Sequence, residues 1–221
     1  MNPSAEGRAV SEQVAYWLTL IVNPLVLPPF TVFLTLNAME EPLQSTLIAV
    51  AIATACFAAV PFVVMLIVAA QSRNVTIELR NRKYRTVPFL ASIALNAVAL
   101  VLFMRWDSNL PGLMVALMVV YLINNVLLLA INFRFKISLH MASISGTAPI
   151  LYFMRFGTES IPPGGGRLLL AVAVICSLMI PVLWWSRQRL DAHTRPELAW
   201  GMTFGLLMPS LELVLLAPVF A

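Results

Sequence analysis

Two histidines, His140 and His193, are the only ones in the chain, and each stands beside basic residues at the edge of a long apolar run. The first closes the stretch Lys136-Ile137-Ser138-Leu139-His140. The second lies in Ser186-Arg187-Gln188-Arg189-Leu190-Asp191-Ala192-His193-Thr194-Arg195-Pro196-Glu197. Ser138 is a natural N-cap, and a helix opening there presents the amides of Leu139, His140 and Met141 to an anion. Arg134 and Lys136 precede it. In the second stretch, Arg187 offers a planar fork suited to phosphate oxygens. A neutral His193 can attack phosphorus or relay a proton, and Glu197, four residues on, could fix its tautomer. These are the parts of a phosphoryl-transfer site. A structural reading of Glu197 stands beside the chemical one, because Thr194-Arg195-Pro196-Glu197 also fits a capping box with Pro196 in the first turn.

The elements that must hold these groups are apolar. Of 221 residues, 60% are hydrophobic and 11% charged, where a soluble domain carries roughly 25% charged residues. Seven apolar segments are predicted, at about 14–37, 44–71, 88–104, 111–133, 138–154, 167–185 and 198–220, most of them near the roughly 20 residues that cross a bilayer core. The chain is therefore expected to be all-α, a polytopic membrane bundle of about seven (six to seven) transmembrane helices, with 1–221 forming a single membrane domain. Pro24, Pro28 and Pro29 predict a kink or break in the first segment. The N-terminal stretch does not read as a cleavable signal. Cys56 and Cys176 lie inside apolar runs and read as small buried hydrophobes.

Alternating the loops puts Arg8, Arg73, Arg80, Arg82, Lys83, Arg85, Arg134, Lys136, Arg187, Arg189 and Arg195 on one side. Arg105, Arg155 and Arg167 fall on the other. The positive-inside tendency assigns the basic side, with the N-terminus and both histidines, to the cytoplasm, and a bacterial inner membrane is expected. A phosphate site needs cations wherever it faces, which is a competing reason for the same asymmetry.

The run from Ser186 to His193 is similar to the third signature of the type 2 phosphatidic acid phosphatase family, in the lipid phosphatase and vanadium haloperoxidase-like superfamily: Ser-Arg, five residues, then His. That family places an Asp four residues later, where this chain has Glu197. Ile137-Ser138-Leu139-His140 resembles the second signature, Pro-Ser-Gly-His, keeping Ser and His. In the first signature, Lys, six residues, Arg-Pro, Arg85 takes the arginine position, Glu78 the lysine position, and the proline is displaced to Pro88. Arg82 lies one turn from Arg85 if that segment is helical and is its possible substitute.

The resemblance covers about residues 73–205 and implies a catalytic core there, free of metal and cofactor. It implies that His193 attacks the phosphate of a lipid phosphate or prenyl diphosphate, with Glu197 orienting it and His140 protonating the leaving oxygen. Arg187, Lys136, Ser138, Arg85 and Arg82 would bind the phosphate. The implied partners are a membrane lipid substrate and the bilayer, with no nucleic acid. Three other readings remain. The chain could be an inactive subunit retaining the family fold. It could be a transporter, to which the intramembrane Glu212 is suited although no repeat is visible. It could be a prenyltransferase, although no paired-aspartate motif is present. Glu212 itself is expected to bond an amide such as Asn96, Asn124 or Asn125.

Overall fold

Prolines break the first apolar segment. In the computed structural model, which describes residues 3–71, 82–106, 112–159 and 161–220, helix α1 (Pro3–Ile21) ends before Pro24, and α2 (Leu27–Ala38) begins with Pro28 and Pro29 in its first turn. A first-turn proline lacks only an N–H that would have no helical partner. Between the helices the Asn23 side chain accepts from the Leu25 amide at 2.9 Å, closing the turn.

Helix α3 (Leu43–Ala53), a π-turn (Thr54–Ala59) and α4 (Val60–Gln71) form one continuous apolar helix. Pro61 explains the widened turn, because its ring would strike the carbonyl four residues back in a regular helix. A 3₁₀ turn (Arg82–Arg85) leads into α5 (Thr86–Met104), followed by α6 (Gly112–Arg134), α7 (Leu139–Phe156), α8 (Pro163–Arg189) and α9 (Arg195–Phe220). The described residues are helices and connections, without a strand.

Among the described residues five helices are long and apolar enough to cross a membrane: Leu43–Gln71, Thr86–Met104, Gly112–Arg134, Pro163–Arg189 and Arg195–Ala217. Their outward side chains, among them Leu47, Val63, Leu90, Leu178 and Leu207, are exposed hydrophobics suited to lipid. These features fit an integral membrane protein. The other two expected segments differ in kind. The first is divided between α1 and α2. The fifth, α7, carries Ser143, Ser145, Gly146, Thr147 and Pro149, and more than half of its 18 residues are buried. In the five apolar helices only 22–33% of the best window is buried. Helix α7 is thus the more enclosed helix, packed against α8, α9 and α2.

Helix α9 lies against α7 at glycines. A Cβ at Gly201 would sit 2.5 Å from the Ser138 carbonyl oxygen, and one at Gly205 would overlap the Ala142 carbonyl. On the other flank α1 and α2 run along α8. Thr19 and Ser11 bond Ser186 and Arg189 near its end, while Ala38 abuts Gly165 near its start.

Candidate functional site

The ends of α7, α8 and α9 converge on one mouth of the bundle. Helix α8 closes with Asp191 in the left-handed region, φ 47°. The Ala192 amide bonds the Arg187 carbonyl at 3.2 Å and the Asp191 amide bonds that of Gln188 at 3.1 Å. This is a Schellman closure with Asp in place of the usual Gly. It turns the chain sharply enough to bring His193 back toward Arg187.

At the start of α9, Glu197 Oε2 accepts from the Thr194 amide at 3.1 Å and lies 2.9 Å from His193 Nδ1. The capping box and the carboxylate–imidazole contact are therefore made by the same oxygen. With the carboxylate ionised, Nδ1 carries the proton and Nε2 presents a lone pair. The His193 side chain is only 3% exposed.

Ser138 is the N-cap of α7, its hydroxyl facing the Met141 amide at 3.5 Å, and it is fully buried. Its own amide bonds the Glu197 carbonyl at 3.1 Å. Arg85 is buried and donates to the Ile137 carbonyl at 3.3 Å, bracing the segment before the cap. Lys136 donates to the Ala192 carbonyl at 3.1 Å and stands 3.6 Å from Glu197 Oε2.

His140, in the first turn of α7 and outside the five apolar helices, bonds the main chain of Thr19. Its Nε2 is buried without a hydrogen-bond partner among the described residues. Burial holds this imidazole well below its ordinary pKa, and the charges of Arg187, His193 and Arg85 press the same way. The Thr19 bond opposes them. His140 is accordingly neutral in this state.

A cavity of about 860 Å³ opens here, and Arg85, His140, Arg187 and His193 all line it. Positive charges on Arg85, Lys136 and Arg187 stand at this mouth with the carboxylate of Glu197, and Asp191 lies in the adjoining turn, a balance that favours an anion. Lys136, Ser138 and Glu197 stand behind the lining rather than in it. Arg82 begins the 3₁₀ turn, but its side chain, like Glu78, lies outside the described residues. Among the described residues no three His, Cys, Asp or Glu side chains group as metal ligands.

No family model, curated protein or solved structure matches the chain.

One contribution escapes the motif reading. Ser186 Oγ donates to the Ala15 carbonyl at 2.6 Å, so Thr19 is the donor in the 2.9 Å bond between the two hydroxyls. Helix α1 thus grips α8 beside Arg187 while its Thr19 main chain holds His140. Neither role has a local signature, since Thr19 reads as one polar residue in an apolar run. Deeper in the bundle, Asn124 Nδ2 donates to Glu212 Oε2 and to the Val120 carbonyl. Asn124 is one of the three amides expected for Glu212.

Proposed function

We propose that this protein is a membrane phosphatase that hydrolyses a lipid phosphate or prenyl diphosphate through a phosphohistidine intermediate, as the resemblance to type 2 phosphatidic acid phosphatases implies. One observation carries the reading: His140, His193, Arg85 and Arg187, scattered over more than a hundred residues, line one end of one cavity, with Glu197 on the far nitrogen of His193.

In this reading the phosphate sits between Arg85 and Arg187. His193 Nε2 attacks the terminal phosphorus, forming an N–P bond as the P–O bond to the leaving group breaks, an alkoxide from a lipid phosphate or a prenyl monophosphate from a diphosphate. His140 delivers a proton to the departing oxygen. Glu197 stabilises the charge that develops on His193. Water then attacks the phosphohistidine, giving its proton to His140, and orthophosphate leaves with both imidazoles restored. The neutral resting state of His140 is consistent with this cycle, because a bound phosphate dianion offsets the arginine charges that depress its basicity and lets it take up the required proton.

The seven-pass arrangement belongs to the same proposal. It is supported by the divided first segment, which follows α8 from its Ser186 end to its Gly165 end. We place the mouth on the cytoplasmic side of a bacterial inner membrane, from the distribution of basic residues.

The decisive experiment is phosphate release by the purified protein in detergent, offered a panel of lipid and prenyl phosphates in EDTA without added metal. Release that depends on His193 is expected. Failure of every substrate with folded protein would favour an inactive, family-fold membrane subunit. The engagement of Lys136 by Ala192 and Glu197 suits that second reading.

A further inference from the structure

The cavity continues inward from the cations. From Arg85 to Asn96 the chain rises on the order of 16 Å along α5, and Asn124 lies about 15 Å in from Arg134 at the end of α6. Both asparagines line the same cavity as the histidines. Phe57, Pro61 and Pro209 share the wall with Tyr121, Asn125 and Thr147.

Asn96 is 1% exposed, and both its side-chain nitrogen and oxygen lack a hydrogen-bond partner among the described residues. Asn124 commits its nitrogen to Glu212 and Val120, leaving its buried oxygen without a partner among those residues. The residues of this wall therefore hold one amide donor, two amide oxygens and the Tyr121 hydroxyl buried near mid-bundle without a hydrogen-bond partner among the described residues, where buried polar groups are normally satisfied. A plain hydrocarbon tail would leave them all unmet. An ester would satisfy only the donors. A group that both donates and accepts matches the set.

We propose that Asn96 and Asn124 form a second, polar subsite of the cavity, which takes an amide or hydroxyl carried on the hydrocarbon part of a lipid phosphate. The inference rests on the phosphate reading of the cation end and narrows its substrate class. Lipid phosphates with such a group are selected, and polyprenyl phosphates, which have none, are disfavoured. Glu212 is the positioning residue, holding the Asn124 amide through its nitrogen and so leaving the oxygen to the ligand.

The test uses the full chain in detergent and three synthetic double-chain lipid phosphates of equal length: one with an amide, one with a hydroxyl, one with ether linkages only. Binding is measured directly. The wild type is expected to bind the amide or hydroxyl lipid about tenfold more tightly than the ether, and the better of the two identifies the group recognised. Asn96→Leu should erase that preference, bringing the polar lipid to the affinity of the ether lipid. Equal binding of all three by the wild type would overturn the subsite while leaving the phosphate reading intact, and this comparison decides even if the variant does not fold. A preference that survives undiminished in a folded Asn96→Leu protein would likewise overturn it. Binding of none of the three would overturn the phosphate reading and the subsite with it.

Discussion

The amide of Ser138 donates to the carbonyl of Glu197 at 3.1 Å. This bond joins the N-cap of α7 to the first turn of α9, across 59 positions of sequence, and each partner stands close to one histidine. The Lys136–Ala192 bond at 3.1 Å is its neighbour. Together they fix the cap that carries His140 to the turn that carries His193, one bond joining main chain to main chain and the other reaching from the Lys136 ammonium to a main-chain carbonyl.

His193 and Glu197 should act as a unit. His193→Ala is expected to abolish phosphate release and, with it, an acid-labile phosphoenzyme. Glu197→Gln preserves shape but removes the charge that stabilises the imidazolium, and should lower turnover on the order of 10²–10⁴-fold. Rapid-quench labelling with ³²P-lipid measures both. A folded His193→Ala protein with near-normal turnover would exclude the phosphohistidine.

His140 should matter in proportion to how badly the leaving group needs a proton. His140→Ala is expected to cost about 10²–10⁴-fold with a lipid alkoxide leaving group, and much less with an activated aryl phosphate. Steady-state rates on the two substrates are sufficient. Equal losses would remove His140 from the general-acid role.

The same residue should make stability depend on pH. A base whose folded pKa lies below its unfolded value of about 6.5 leaves the unfolded chain binding more protons in that window. Stability attributable to His140 is therefore full above about pH 6.5 and falls as pH drops toward its lowered folded pKa. Thermal unfolding in detergent from pH 7.5 to 5 should show a decline that is shallower in His140→Gln. Added vanadate, a phosphate mimic, should flatten the wild-type curve. Identical slopes in wild type and variant would contradict the assignment.

Close approach of α9 to α7 should be intolerant of bulk. Gly201→Ala places a methyl 2.5 Å from the Ser138 carbonyl, where the facing atom is main chain and cannot rotate away. A loss of about 1–3 kcal/mol is expected, together with reduced turnover as the two histidines separate. Gly164→Ala, whose added methyl meets nothing within 4 Å, is the control and should be neutral in the same unfolding and turnover assays.

Orientation can be read from thiol labelling. Native Cys56 and Cys176 are buried, which keeps the background low. Cysteine at exposed Thr194 should be protected from impermeant reagents in intact cells, and cysteine at exposed Gly164 should label. The reverse pattern would show that the basic residues answer to substrate rather than to topology.

Much of this protein is legible in local pattern. Apolar runs announce the membrane helices because a bilayer demands about 20 consecutive apolar residues. Pro24, Pro28 and Pro29 announce the break between α1 and α2, since a missing N–H and a fixed φ act within one turn. Ser138 as N-cap, and the Thr194–Glu197 box with His193 one turn from Glu197, are likewise set by short-range geometry. Other features have no local signal. Helix α7 was expected to resemble its neighbours, yet its serines, threonine and glycine place it in the core, where helix faces rather than lipid surround it. The hold of Thr19 on His140, the grip of Ala15 on Ser186, and the meeting of Asn96 and Asn124 at one cavity each join residues distant in sequence. Such contacts depend on which helix faces meet, and periodicity within one segment carries no information about its partner. Hydrophobicity selects the medium and proline the breaks, but packing of α1, α7, α8 and α9 against one another makes a site from residues that are separately unremarkable.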